Sequence, residues 1–451
     1  MEVEDRMTKE EILTLLEERK YKELREALTN HMHPIDLAIL LEEFDQKHMV
    51  IIFRLLPKDD AAETFTNLNS DMREHLINAL TDSELEEVME EMYVDDTVDV
   101  LEELPANVVD RLLMATDVEK RAQINQLLQY PEDSAGSIMN IDYIAFRKEM
   151  TVSEAILKIR QVGLNRETIY TCYVTEKREL IGTVDLKDLL TSGESRTIEE
   201  VMDTNVMYAT TTDDKEEVAQ TIHKYGMMAL PIVDHENRMV GLVTVDDAMQ
   251  VMEDETTEDI SIMAGLSPNE ESYFGTSVWQ HVKNRLPWLI FLMLSATVTQ
   301  MIMGHYEMAL AVMPQLAGFI PMLMGTGGNC GSQSSTLVIR GLAVGEIKFN
   351  DLFRVIFKEI RVALIISGIL SVINGLRILL MKQGDPLISL TIGLTMACTI
   401  VIAKVVGCSL PLIAKKVGLD PAIMATPLIS TLVDISTVTV YFSIVSVVFS
   451  L

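Results

Sequence analysis

Five apolar stretches, at about 286–304, 309–338, 362–380, 387–413 and 423–449, fill the chain after Trp279. A helix of about 20 apolar residues spans a bilayer, so each stretch is long enough to cross one. Backbone at membrane depth must be helical unless it packs on protein or lines a cavity. The second stretch is interrupted by Pro314, Gly318, Pro321 and the run Gly325-Thr326-Gly327-Gly328-Asn329, which predicts a broken helix of that kind. Arg340, Lys348, Arg354, Lys358 and Arg361 fall between spans two and three, and Lys415 and Lys416 between four and five. The loop His305-Tyr306-Glu307 has no Lys or Arg, so the positive-inside rule puts the N-terminal region in the cytosol and the C-terminus outside. Lys382, in the third connection, is the one dissenter.

Charge divides at the same boundary. From Gln280 onward there are twelve Lys/Arg and seven Asp/Glu, a net of +5, so residues 1–279 carry −36 of the chain's overall −31. A domain of that charge repels itself unless counter-ions sit between its carboxylates. It excludes direct binding of nucleic acid or an anionic membrane surface. The four cysteines, Cys172, Cys330, Cys398 and Cys408, have no paired spacing and read as small buried residues of a reducing compartment. The charged, amphipathic start of the chain does not read as a secretory signal.

Residues 1–130 have apolar positions at helical spacing, as in Leu37, Leu40, Leu41 and Val98, Leu101, Leu104. Leu41–Phe44–Val50–Leu56–Pro57 is echoed 48 residues later by Met89–Met92–Val98–Leu104–Pro105, a period that suits stacked helix pairs. Residues 136–257 contain a second repeat. Ile138-Met139 and Thr151-Val152-Ser153-Glu154-Ala155 match Val201-Met202 and Thr212, Glu216, Glu217, Val218, Ala219. Leu180-Ile181-Gly182-Thr183-Val184-Asp185 matches Met239-Val240-Gly241-Leu242-Val243-Thr244, each a strand with a glycine, followed by an acid-capped helix. The pair resembles tandem CBS (cystathionine-β-synthase) modules. A helix predicted from about Asp246 to Met263 brings Asp247, Asp254, Glu255, Glu258 and Asp259 to or near one side. A solvated face tolerates such charge, and opposing carboxylates bridged by hard cations would also account for it.

Asp434 is the only charged residue in the last 29 positions. Near the middle of a span it costs roughly 2.5–3.5 kcal/mol, and so needs a hydrogen-bonding neighbour, a wet cavity or an ion. With no basic residue close in sequence, a cation site on a transport path is the preferred reading.

Three motifs join these parts: Tyr130-Pro131-Glu132-Asp133-Ser134-Ala135-Gly136-Ser137-Ile138-Met139; Pro321 to Gln333, closing on Arg340-Gly341-Leu342-Ala343; and Asp420-Pro421-Ala422 with Pro427 to Asp434 and Tyr441-Phe442. Over essentially the full chain this resembles the MgtE family of bacterial magnesium channels. The resemblance implies a multidomain architecture: a superhelical α domain (1–130), tandem α/β CBS modules (131–245), an acidic linker or plug helix (246–279) and a five-helix transmembrane domain (280–451). It implies a homodimer in the cell membrane with a pore on the dimer axis, lined by spans two and five, and carrying Mg²⁺ inward. Asp434 matches the family's pore aspartate, and Asn329 falls on the pore-lining second span. Carbonyls near Ser430 and hydroxyls of Thr431 and Thr437 could orient further waters of the hydrated ion. The sensor acids, where cytosolic Mg²⁺ closes the pore, match Asp95, Asp99, Asp214, Glu216, Asp247, Glu255, Glu258 and Asp259. Some relatives bind ATP between the CBS modules, where Tyr170 and Asp188 would suit a nucleotide. Two departures stand out: Gly226, where some relatives have an acid, and Ile435-Ser436-Thr437, where the family often has glycine.

A cation-coupled divalent-metal carrier, and a membrane sensor that transports nothing, are the alternatives. No HExxH, GxSxG or Walker-type motif is present, and His235-Glu236 is followed by Asn237-Arg238, so an enzyme is not expected. The fifth span offers no His or Cys near Asp434, which argues against a zinc or copper path.

Overall fold

The computed structural model describes residues 7–268, 273, 276–380, 385–424 and 426–450. Lys382 and residues 269–272, 274 and 275 of the expected linker lie outside them. The chain forms two compact units, Met1–Glu253 and Asp254–Leu451.

The first unit begins with ten short helices, α1 (Lys9–Glu17) to α10 (Val118–Leu127). Helices pack on the next but one: α3 (Pro34–Leu41) on α5 (Lys58–Thr66), α5 on α7 (Asp82–Glu91), and α7 on α9 (Ala106–Ala115). This is the stack that the 48-residue period predicted. Pro57 and Pro105 stand at the same place in it, each at the N-cap of its helix, α5 and α9, where a missing N–H is harmless. Arginines tie successive layers together: Arg54 donates to Glu84 at 2.8 Å and Arg73 to Glu103 at 3.1 Å.

Two equivalent sheets follow. β1 (Ala145–Phe146) pairs parallel with β2 (Thr171–Glu176), which pairs antiparallel with β3 (Glu179–Asp185). β4 (Ala209–Thr210), β5 (Ala229–Val233) and β6 (Met239–Thr244) repeat the pattern. Helices α11 (Val152–Val162), α12 (Leu186–Thr191) and α13 (Lys215–Tyr225) alternate with them. The modules exchange residues reciprocally. A Cβ at Gly241 would lie 2.9 Å from Met139 Sδ, and one at Gly182 would lie 2.8 Å from Met202 Sδ. Each glycine leaves room for the other module's methionine, and the Gly241 Cβ would also lie 2.7 Å from the Asn140 carbonyl oxygen, so the two repeated sequence features are partners in space. Asn140 and Leu242 exchange backbone hydrogen bonds at 2.8 Å in both directions, as do Thr183 and Asp203 at 2.9 and 2.8 Å. The apolar core of the helical stack runs on into the second module, whereas the first has a core of its own. α14 (Val245–Met263) is the expected acidic helix.

The second unit contains α15 (Val278–His305), α16 (Glu307–Val312), a 3-10 segment (Pro314–Phe319), α17 (Ile320–Ala343), α18 (Leu352–Leu380), α19 (Pro386–Lys416) and α20 (Thr426–Phe449). Among the described residues, four helices are long and apolar enough to cross a membrane: Val278–His305, Phe349–Leu380, Pro386–Lys416 and Pro421–Phe449. The expected fifth, α17, has the length at 24 residues, but its glycines, serines, Asn329 and Gln333 dilute its apolar character. The interruption predicted near Pro314 and Pro321 is the α16/3-10 break before it. α19 packs against α17, α18 and α20. Small residues allow the closest approach, with Gly327, Gly328 and Gly331 of α17 all buried.

Candidate functional site

Asp434 lies on α20, half-buried, one turn after Thr431. Both line a cavity of about 500 Å³ with Met324 of α17, Leu310 of α16, and Ala296, Thr299, Gln300, Met303 and Gly304 of α15. Glu307, at the start of α16, completes the wall. Among the described residues no hydroxyl, amide or cation donates to the Asp434 carboxylate, so the structural hydrogen bond that would make it a bland buried acid is absent. An unpaired carboxylate inside a membrane unit must meet water or a cation.

The other expected wall residues sit differently. Ser430 and Thr437, seven residues apart, share the face of α20 that packs on α17. A Cβ at Gly328 would be 3.2 Å from Ser430 Oγ, and one at Gly327 would be 3.1 Å from Thr437 Oγ1. Thr437 is buried there, and among the described residues its hydroxyl has no hydrogen-bond partner. Asn329 is exposed, on the side of α17 away from its buried glycines. Only Thr431 therefore joins Asp434 at this cavity. Sequence reasoning missed the contribution of α15, whose adjacent Thr299 and Gln300 are visible in hindsight as polar residues in an apolar span.

In the first unit the acids gather between α8 (Val94–Glu102) and the start of α14. Asn140 donates to Asp95 Oδ1 at 3.1 Å and to Glu167 Oε2 at 2.9 Å, bridging two carboxylates. Thr244 and Asp247 form a capping box at the start of α14: Asp247 Oδ2 accepts from Thr244 N at 3.2 Å and from the Thr244 hydroxyl at 2.5 Å, while Thr244 Oγ1 accepts from Asp247 N. Burial, then repulsion from Asp247, pushes Asp96 up to about 6 and Glu167 up to about 7. Burial and then repulsion from Asp96 push Asp99 up to about 7. Asp95 and Asp247 shift upward too, burial leading in both, with Asp96 next for Asp95. Burial lowers the Lys120 pKa from its ordinary value, and its ammonium donates to the carbonyls of Met89 and Met92 beside this group. Asp96, Glu167, Asn140 and Lys120 escaped the sequence reading because they come from four separate elements.

Asp214 spends one carboxylate oxygen capping α13, accepting from Glu216 N at 2.8 Å, and Glu216 accepts from Gln220 at 2.9 Å. Glu255, Glu258 and Asp259 lie on α14 beyond Glu253, in the second unit. Among the described residues no three His, Cys, Asp or Glu side chains converge tightly enough to hold a metal as they stand.

A separate cleft of about 870 Å³ lies between the modules, with Tyr170, Asp185, Lys187, Asp203, Asn205 and Met207 among its lining residues. Asp188 does not line it. Leu186, Lys187, Leu190 and Thr191 take that face of α12, and helical periodicity turns Asp188 to the exposed side. Asp185 and Asp203 are the carboxylates present. Gly226, the left-handed cap of α13 with φ +62°, also lines it.

Family models match three parts of the chain: MgtE, a divalent cation transporter domain, over residues 320–444; the MgtE intracellular N domain over 32–133; and CBS domains over 135–194 and 198–254. The magnesium transporter MgtE of Thermus thermophilus is 35% identical over 95% of this chain and 96% of its own length. That of Bacillus subtilis is 31% identical over 96% and 95%. A crystal structure of the cytosolic domain of the Mg²⁺ channel MgtE in complex with ATP aligns with a TM-score of 0.51 at 36% identity. It covers 53% of this chain and 98% of that one.

Proposed function

Because the chain is a multi-pass membrane protein of the MgtE divalent cation transporter family, we propose that it carries Mg²⁺ into the cell through a path on which Asp434 holds the ion. Mg²⁺ prefers six oxygens in an octahedron and dehydrates reluctantly, so passing it hydrated is the low-cost route. A carboxylate without a protein donor is free to accept hydrogen bonds from that water shell. The undonated Asp434, facing a cavity beside Thr431, is the observation that carries this reading. In it α17 serves as the fifth span, the first unit is cytosolic, the C-terminus is outside, and two copies form a homodimer. The segments divide as 1–130, 131–245, 246–279 and 280–451.

Asp95, Asp99 and Asp247 would form the regulatory site, with Asp96 and Glu167 added to them. Metal-free, these acids repel one another and hold protons; a bound divalent cation removes both penalties. A ligand shifts a gate only by its differential affinity for the two states, and a site this poorly neutralised has much to gain from a cation. The cleft holding Tyr170, Asp185 and Asp203 is assigned to a nucleotide, ATP.

The decisive test is Mg²⁺ flux into vesicles reconstituted with the full chain. Wild type should conduct and Asp434→Ala should not; equal flux from both would remove Asp434 from the path. Flux that stops when a Na⁺ or proton gradient is collapsed would identify a coupled carrier instead of a channel.

A further inference from the structure

We propose that α15 forms part of the ion path, with Gln300 and Glu307 making an outer waiting site for a hydrated divalent cation in the cavity that leads to Asp434. Ala296, Thr299, Gln300, Met303 and Gly304 follow one another at spacings of three and one along α15, a single stripe that faces this cavity, and Glu307 joins them from the start of α16. Val298 and Met301, on the opposite side of the outer half of α15, are large, apolar and exposed, as a lipid-facing surface requires. The stripe is the side of the span turned to the cavity, and apart from Met303 its residues are small or polar.

Two of its groups have unmet hydrogen-bonding capacity. Among the described residues neither the Gln300 carboxamide nor the Glu307 carboxylate has a hydrogen bond or ion pair. Gln300 lies five residues inside the end of a membrane-spanning helix, where an unsatisfied amide costs several kcal/mol. The cavity must then be wet, or hold something that carries water. Glu307 is the only acid between Gln280 and Ala343, and no Lys or Arg adjoins it in its loop. Six waters at roughly 30 Å³ each need about 180 Å³, so a hydrated ion fits a cavity of this size with room for the side chains to adjust. Carboxylate oxygens at Glu307 and Asp434, the Gln300 carbonyl and the Thr431 hydroxyl all accept hydrogen bonds from such a shell.

This rests on the transport reading and on its orientation, which puts Glu307 at the outer mouth. The test uses full-length protein in vesicles, with initial Mg²⁺ flux measured against Mg²⁺ concentration on the Glu307 side. Glu307→Gln should raise the half-saturating concentration by about fivefold at low ionic strength, with a smaller effect in high salt, and Glu307→Asp should restore most of it. Gln300→Leu should lower maximal flux severalfold with an unchanged melting temperature. Wild-type half-saturation and salt dependence in Glu307→Gln, together with wild-type flux in Gln300→Leu, would overturn the inference while dead Asp434→Ala leaves the transport reading standing. Absence of flux in the wild type would overturn both.

Discussion

Gly331 of α17 and Gly407 of α19 meet backbone to backbone: a Cβ on Gly407 would lie 2.2 Å from the Gly331 carbonyl oxygen. One turn away, Lys404 Nζ donates to Glu359 Oε2 at 3.0 Å and to Ser334 Oγ at 2.9 Å, while Ser334 donates to Glu359 at 2.7 Å. The glycine contact and the ion pair thus clamp the glycine-rich helix against α18 and α19.

Gly407→Ala should therefore be among the most damaging single-methyl additions. The obstruction is backbone, which cannot swing aside, so overpacking by about 1–3 kcal/mol or more is expected. A lowered melting temperature of the detergent-solubilised chain measures it; Gly304→Ala, with nothing within 4 Å of its added Cβ, is the control.

The side chains of Lys404 and Glu359 are only 4% and 13% exposed. Removing one partner strands the other charge, a loss of about 3–5 kcal/mol, whereas removing both does not. Lys404→Met and Glu359→Gln should each lower stability sharply. The double variant should recover most of it, and a double-mutant cycle on melting temperature reads the coupling.

Metal-free protein should lose stability as pH rises. Asp96, Asp99 and Glu167 have folded pKa values of about 6, 7 and 7, above the ordinary carboxylate range. The folded state then binds more protons than the unfolded one across that interval. Their contribution is fully present below about pH 4 and is lost as pH climbs through 6 to 7. Thermal melts at pH 5.5 and 7.5 should show the higher pH as less stable without Mg²⁺, and added Mg²⁺ should restore stability mainly at pH 7.5. A melting temperature that rises with pH in chelator would contradict the repulsion argument.

At the inter-module cleft, Tyr170→Ala should weaken ATP binding by roughly 1–3 kcal/mol if its exposed ring stacks on the base. Asp188→Ala should leave affinity unchanged, because the residue lies off the cleft. Calorimetric titration of the full chain distinguishes the two.

Features set by local spacing were legible in the sequence. The stacked helices, the duplicated strand–glycine–strand pattern, the acidic helix α14 and the break before α17 all follow from periodicity and from Pro or Gly. Asp434 declared itself by its cost. The meeting of distant segments was not legible. Nothing local announces that Asn140 bridges Asp95 and Glu167, that α15 lines the Asp434 cavity, or that Lys404 finds Glu359 45 residues away. The sequence offered carbonyls near Ser430 and the Thr437 hydroxyl to the pore, but α20 has polar groups on more than one face, and only packing decides that Ser430 and Thr437 meet the glycines of α17.

The methionine–glycine exchange between the two modules makes each the missing piece of the other. Met139 fills the gap at Gly241, and Met202 fills the gap at Gly182. A duplicated gene that has reached this arrangement can no longer be trimmed to one copy, since half of the pair would leave a strand with a hole and a methionine with nowhere to go. Cutting the chain near Ser195 should accordingly leave two fragments that remain associated, and any tilt imposed on one module must carry the other with it.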